Sequence, residues 1–228
     1  MQVQVQIVQD MQALETKEAT CMEAIESARE AIVKIANDLY ERHDKIALGE
    51  LCEHPQYGAN EKAIPGNPET DYRYIRITDI DEHGRLLHDW HTAEHVDEKY
   101  ILQHGDFLFA RSGSVGKTFL YLQGMPKAIY AGYLIRFKPI QNKLMPEFLN
   151  LVTKSGSYQT WVKNIQSQVT IPNINAKQYA SLLIPNLHFS EQERLMEEVE
   201  SHEKLIAEKE ARMFEIQREK IDVLSKYL

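Results

Sequence analysis

The chain has 228 residues, of which 43% are hydrophobic and 26% charged, with two cysteines and a formal net charge of −8. That composition belongs to a folded protein able to bury a core, and it excludes disordered, fibrous and disulfide-stapled chains. All apolar runs fall far short of the ~20 residues that span a bilayer, and the polar, glutamine-rich N-terminus has no export-signal character. A cytoplasmic protein with no membrane partner is expected.

No glycine or proline interrupts residues 1–48. Within them Ile7, Met11, Leu14, Cys21, Ile25, Ala28, Ile32, Ile35 and Leu39 follow one another at gaps of 4, 3, 7, 4, 3, 4, 3 and 4. That is the heptad seam of a coiled coil, and it predicts a helix of about 36 residues or more, ~55 Å long at ~1.5 Å per residue. Cys21 falls on this helix and Cys52 just beyond it, with spacing that suits neither a metal site nor a disulfide framework.

The texture then changes. All ten glycines lie between Gly49 and Gly156, among short β-type runs at Tyr72–Ile77, Asp106–Ala110, Thr118–Leu122 and Ala131–Phe137. Such runs between Gly, Asn and Pro turns predict a compact mixed β domain, with short helices near Pro146–Val152 and Tyr158–Ile165. A second long helix is signalled by Pro185 followed by Ser190 and Glu193, a capping-box pattern. Its seam reads Leu195, Val199, Ile206, Met213, Ile216, Val223 and Tyr227, with His202, Lys209 and Lys220 on vacant seam positions; Lys209 and Lys220 read as a solvated helix edge. Each seam needs a partner: the other helix, another copy of the chain, or another protein. The expected fold is α+β, with one mixed, β-rich domain over residues 46–188 flanked by two long coiled-coil-forming helices, 1–45 and 189–228.

The net charge conceals a segregation. Residues 50–106 carry 5 basic and 13 acidic side chains, whereas 107–187 carry 9 basic ones against the single acid Glu147. A long stretch almost free of acids suits contact with phosphate, because each Lys or Arg beside a duplex releases condensed counterions. Charge balance within one fold is the bland alternative.

Gly116-Lys117-Thr118 resembles the end of a phosphate-binding P-loop, but the glycine required five positions before Gly116 is Arg111. His83, His88, His91 and His95 cluster among acids without zinc-site spacing, and neither HExxH nor GxSxG occurs. Catalysis thus has no positive support. Binding has some: Arg111-Ser-Gly-Ser-Val-Gly-Lys-Thr118 combines two glycines, two cations and three hydroxyls after a strand. Arg and Lys donate to guanine or phosphate, and Ser and Thr read either donor or acceptor edges. Gln166 to Asn175 is rich in amides, which pair with adenine; Gln168 reads as functional, Asn173 and Asn175 as turn caps.

The order of several segments carries a resemblance. Ile46-Ala-Leu-Gly-Glu-Leu-Cys52 is followed by Tyr57-Gly58, Tyr74-Ile-Arg-Ile-Thr-Asp-Ile80 and Gly105-Asp-Phe-Leu-Phe-Ala-Arg-Ser-Gly-Ser-Val-Gly-Lys117. Ile174-Asn175, Leu183-Ile-Pro-Asn-Leu187 and Ser190-Glu-Gln-Glu193 complete it. This resembles a target-recognition domain of the specificity subunit in type I restriction-modification systems. The resemblance implies a non-catalytic reader of half of a bipartite site in double-stranded DNA, with helices that set the spacing between halves. It implies methyltransferase subunits docked on those helices, with a restriction or motor subunit as a possible further partner. S-adenosylmethionine is then expected on the methyltransferase partners and no cofactor on this chain. A standard specificity subunit has two recognition domains, and this chain has one with a helix on each side, so it resembles a half-subunit, pairing with its own copy or another half; the leading helix resembles the spacer before a second domain.

On this reading Arg111, Lys117, Lys154 and Lys163 are the phosphate-positioning candidates. Tyr57, Arg76, Thr78, Ser112, Ser114, Thr118, Gln168 and Thr170 are the candidates for base readout. For Tyr57 and Arg76, fold packing or a local ion pair stays open. The alternative is a coiled-coil adaptor whose central domain binds protein, which the acidic segment 50–106 would suit.

Overall fold

The computed structural model describes residues 2–167 and 172–226. The chain divides into two compact units: Ala36–Glu193, and the helical segments running up to Ile35 and on from Arg194. No helix among the described residues is long and apolar enough to cross a membrane.

The first helix, α1, spans Gln2–Arg42, somewhat longer than its seam requires because nothing in it breaks the backbone ladder. Its last turns belong to the larger unit. There β1 (Lys45–Ala47) leads into the single-turn helix α2 (Leu48–Leu51). β1 pairs antiparallel with the last strand of the domain, Leu183–Pro185, so that Ile46 faces Ile184. This short ladder brings the beginning and end of the β-rich domain side by side, and Asn186 N–H donates to the Asp44 carbonyl at 2.8 Å beyond it.

The centre of the domain is a four-stranded antiparallel sheet in the order β2 (Gln56–Tyr57), β9 (Leu134–Phe137), β6 (Phe107–Ala110), β7 (Thr118–Leu120). All four residues of β6 are buried, so the strand is covered on both faces and reads as a continuous apolar run rather than an alternation. Successive side chains still point to opposite faces. Phe107 and Phe109 pack with Phe137, Tyr158 and Tyr179. Leu108 and Ala110 join Ile75, Ile80, Phe119, Tyr121 and Tyr130 on the other side.

Two further ladders complete the β structure: β3 (Ala63–Pro65) pairs antiparallel with β5 (His91–Ala93), and β4 (Arg73–Ile75) pairs parallel with β8 (Ala128–Tyr130). The first aromatic face is roofed by α3 (Pro146–Thr153), α4 (Gly156–Gln166) and α5 (Ala176–Ala180), before β10 (Leu183–Pro185) closes the domain. Proline at the first position of α3 and Ser155 capping α4 start these helices where orphan N–H groups need it.

The final helix, α6, spans Phe189–Ser225, and its start corrects one expectation. Ser190 and Glu193 are not its capping box: the helix begins at Phe189, and Glu191 reaches back to accept the His188 N–H at 2.9 Å. Gln192 fixes the same region. Its buried amide accepts from Met145 N–H at 2.9 Å and donates to the carbonyls of Lys143 and Leu187.

In the helical unit α1 and α6 run antiparallel, since Glu18 meets Lys220 while Arg29 meets Glu210 at 3.1 Å. Each seam thus finds its partner in the other helix. Leu14 and Cys21 pack with Ile216, flanked by Met213 and Val223, and Ile25, Ala28 and Ile32 are buried as the heptad pattern requires. Farther along, in the larger unit, Ala36 is buried in place of the half-buried Ile35, as a straight 3.6-residue helix drifting from a 3.5-residue repeat would have it. Lys220 is not the solvated edge that its position suggested. It is mostly covered and pairs with Glu18, which also accepts from Gln217, a polar contact that sets register in a seam. Tyr227 lies outside the described residues.

Both cysteines are buried, and burial raises the Cys52 thiol to about 12. Alkylation with iodoacetamide at pH 8 is expected to leave the native chain unmodified and to label two thiols after denaturation. Mass spectrometry showing native labelling of either would contradict the packing at that residue.

Candidate nucleic-acid interface

The segment 111–117 is the loop of the β6–β7 hairpin, in which Phe109 pairs with Thr118. This geometry disposes of the P-loop resemblance from the structural side, because Thr118 opens a strand and not a helix. The loop is held from both flanks. Gly113 and Gly116 have φ of 69° and 88°, a region that glycine enters without strain. A Cβ at Gly113 would lie 2.7 Å from Ile77 Cδ1, and one at Gly116 2.8 Å from Val162 Cγ1. The loop is therefore wedged between the 3₁₀ turn Ile77–Asp79 and α4.

Two buried tyrosines pin its ends. Tyr179 donates to the Ala110 carbonyl at 2.8 Å, and Tyr158 to the Gly116 carbonyl at 3.0 Å. Burial raises both phenols above their ordinary range, so both are protonated donors at neutral pH. Such a frame lets the loop present side chains at fixed positions.

Arg111 stands at the start of this loop. Its guanidinium lies 4.9 Å from the centre of the Tyr57 ring, and its Nε donates to Asn173 Oδ1 at 3.4 Å. Its backbone is bound on both sides: its N–H donates to the Tyr133 carbonyl at 2.9 Å, and its carbonyl accepts from Ile174 N–H at 2.8 Å. Tyr57 is 40% exposed and its hydroxyl accepts the Ala176 N–H at 3.0 Å. Ser112 bridges to Asn173, and Ser112 and Ser114 are half-buried on the loop. Asn175 caps α5 in a capping box with Gln178, the structural role its position suggested. Lys163 is exposed on α4.

Other candidates are turned inward. Lys117 donates from Nζ to the Ile80 carbonyl at 2.8 Å, tying the end of the loop to the neighbouring turn. Thr118 Oγ1 lies 3.4 Å from Thr153 Oγ1. Lys154 is half-buried at the C-cap of α3. Arg76 is engaged by Asp79 through two side-chain bonds of 3.0 and 2.7 Å, and its Nη2 donates to His91 Nδ1 at 2.9 Å. The Asp79 hydrogen bonds hold this guanidinium above its usual pKa. The local ion pair with Asp79 is formed, and it fixes the turn on which Thr78 is exposed. Gln168 and Thr170 lie outside the described residues.

The basic segment 107–187 does not form a single face. Arg136 points into the core, its side chain 10% exposed, against Asp106 at 3.4 Å, so its charge serves the fold and not a ligand. Two further residues belong to the surface: Asn173, read from the sequence as a turn cap, whose Oδ1 instead accepts from Arg111, and Tyr133, which the sequence left aside and whose carbonyl accepts the Arg111 N–H. Ile174-Asn175 pointed to the segment, but nothing in the pattern marked Asn173 as the partner of Arg111. No group of three or more His, Cys, Asp or Glu side chains among the described residues is arranged to hold a metal ion.

A cation at the start of a glycine-framed hairpin loop, set over a tyrosine ring of β2 on a two-sided sheet core, defines a candidate binding surface on a domain of α+β class. Residues 41–218 match the family model described as the type I restriction modification DNA specificity domain, and the chain belongs to that family. It is similar in fold to the S subunit of a type I restriction-modification system from M. genitalium, at TM-score 0.70 and 16% identity, covering 99% of this chain and 60% of that one. The HsdS subunit from Thermoanaerobacter tengcongensis gives a TM-score of 0.58 at 16% identity over 99% of this chain and 56% of that one. A chain from a structure concerned with complex assembly and conformational transition of the type I R-M system gives 0.57 at 16% identity, over 97% and 57%. The chain thus spans somewhat more than half the length of these proteins. Comparison with curated protein sequences gives no match.

Proposed function

We propose that this chain is a non-catalytic DNA-target reader, a half-subunit with one recognition domain that directs partner methyltransferase and restriction subunits to a DNA site. Membership of the specificity-domain family supports DNA target recognition. The observation that carries the reading is Arg111, held over Tyr57 at the mouth of a loop whose two ends are pinned by core hydroxyls. Arg111, Tyr57, Ser112, Ser114, Thr78 and Lys163 are then the contact residues, while Arg76, Lys117 and Thr118 keep the surface in shape. A bipartite site would be read by pairing with a second recognition half. The methyl donor S-adenosylmethionine would be held by the methyltransferase partners, which would supply the chemistry.

Duplex binding by the full chain at two salt concentrations tests this, because contacts to phosphate make affinity fall steeply with salt. For Arg111→Ala, a base contact predicts loss of ~1–3 kcal/mol of discrimination at one position, and a phosphate contact predicts uniform weakening with a salt slope lower by about one. Unchanged binding to every duplex would remove Arg111 from the site. Salt-insensitive association with proteins, and none with DNA, would favour the coiled-coil adaptor.

A further inference from the structure

We infer that Tyr133 is a specificity-determining residue of the DNA-reading surface, its ring packing against a base edge beside the one that Arg111 reaches. This rests on the proposal that the domain reads DNA, and it adds a residue outside the candidates above.

The argument begins with the turn that bears Tyr133. Between β8 and β9 the chain passes through Ala131 and Gly132 to Tyr133, and nearly every backbone group there is engaged. Ala131 N–H donates to the Ile75 carbonyl at 2.9 Å, Gly132 N–H to Ala59 at 2.7 Å, and Leu134 N–H to Ala131 at 2.8 Å. The Tyr133 carbonyl is the acceptor for Arg111 N–H. A neighbouring strand presses against the turn as well. A Cβ on Gly58 would lie 2.3 Å from the Ala131 carbonyl oxygen, so only glycine permits the approach that brings the residue after Tyr57 onto this turn.

Within so constrained a turn the flanking side chains do what the core demands: Ala131 and Leu134 are buried. Tyr133 does the opposite and is 61% exposed. Among the described residues its hydroxyl has no hydrogen-bond partner. A mobile loop with an exposed tyrosine would carry no information, but here the backbone that bears the ring is held by the same hydrogen bond that holds the backbone of Arg111. An aromatic side chain supplies large contact area at low cost in conformational entropy. Its neighbours narrow the ligand class. One backbone hydrogen bond away stands a guanidinium, and Tyr57 lies beneath that guanidinium. A cation over one aromatic ring, with a second, exposed ring on the backbone paired with it, suits nucleic acid, whose phosphates and guanine edges take the cation and whose base edges and thymine methyls take the exposed ring. Tyr57 has its hydroxyl committed to Ala176 and one ring face turned to Arg111, whereas the more exposed Tyr133 is the ring with no such commitment.

The test is selection of bound duplexes from a random double-stranded library by the full chain, followed by titration of the recovered duplex and its single-base variants with wild type, Tyr133→Phe and Tyr133→Ala. Thermal unfolding should not separate the three, because the side chain is exposed. The expected result is that Tyr133→Ala loses roughly tenfold in discrimination at one position, the ordinary cost of a lost base contact, with the salt slope unchanged. Tyr133→Phe retains most of it because the ring remains. A wild type that selects a motif while Tyr133→Ala binds all variants as wild type does would overturn the assignment of Tyr133 and leave DNA reading intact. An equal loss on every duplex, shared by Tyr133→Phe, would make the contact one of the hydroxyl with phosphate, and an equal loss on every duplex in Tyr133→Ala alone would make it a packing contact without readout; either overturns the base-edge role. If wild type itself selects no motif, DNA reading fails and the role of Tyr133 fails with it.

Discussion

Arg136→Ala is expected to cost about 3–5 kcal/mol of folding stability, the range for breaking a buried ion pair from one side. Arg136 lies on β9 with its guanidinium against Asp106, the carbonyl of Ile101 at 3.2 Å, that of Lys99 at 3.4 Å, the Gln56 side chain and the face of Tyr130. Asp106 is 3% exposed and keeps Gln103 N–H as its remaining donor at 2.9 Å. Without the guanidinium an ionised carboxylate is left in the core. The effect should depend on pH with a definite sign. Burial, only partly offset by Arg136, already holds the Asp106 pKa above its ordinary value, so the folded state binds its proton more tightly than the unfolded one. Stability from this group falls as pH rises through the window between those two values. Removing Arg136 pushes the folded value higher and widens the window. The deficit of the variant should therefore be largest near neutral pH and shrink as pH falls through the carboxylate range. Urea titrations of both proteins at pH 7 and pH 4.5 check this, and a deficit that is the same at both would mean that Asp106 does not carry the penalty.

Phe109→Ala should be comparably damaging, at about 3–5 kcal/mol for an aromatic core truncation. Its ring is fully buried and lies 4.5 Å from Tyr179, 4.9 Å from Phe107 and 5.3 Å from Phe137. Against a total stability of ~5–15 kcal/mol for an ordinary domain, such a loss is a large fraction. It also has a specific readout beyond the melting temperature. Phe109 and Tyr179 pack ring on ring, and Tyr179 holds the Ala110 carbonyl at the base of the reading loop. The variant should lose protection from amide hydrogen exchange around Arg111 before it unfolds globally. Exchange that stayed at wild-type rates there, with only global stability reduced, would show that the loop does not depend on this ring.

How far the sequence revealed this molecule depends on the length scale of each signal. The two long helices were legible because their seams repeat over many turns, down to which face is buried. The start of α6 was displaced because Glu191 and Glu193 are both able to cap, and only the chain path into Phe189 decides between them. Among the strands, β6, β7 and β9 announced themselves as apolar runs. β1, β2, β3, β5 and β8 have two or three residues each and exist through pairing with distant partners, as Lys45 does with Pro185; no local periodicity encodes that.

The candidate surface divided along the same line. Gly113, Gly116 and Arg111 were marked by composition alone. The inward commitment of Lys117 was hidden, because its acceptor is a backbone carbonyl at Ile80, which has no side-chain signature. Arg76 was half legible, since Asp79 lies three residues on, while its contact with His91 required the β3–β5 hairpin to be folded. Tyr133 gave no signal, because an aromatic in a turn is ordinarily part of the core and only the three-dimensional bracing shows this one facing outward.

The hydroxyls of Tyr158 and Tyr179 bind carbonyl oxygens of the loop and no side chain of it. They therefore hold the loop whatever residues occupy positions 112, 114 and 115, provided that Gly113 and Gly116 keep their backbone conformation. If the loop reads DNA as proposed, folding and reading are in this way written in separate alphabets: the main chain at Ala110 and Gly116 carries the first, and the side chains between them carry the second. A lineage is thereby free to trade one reading for another by point substitution without passing through an unfolded ancestor.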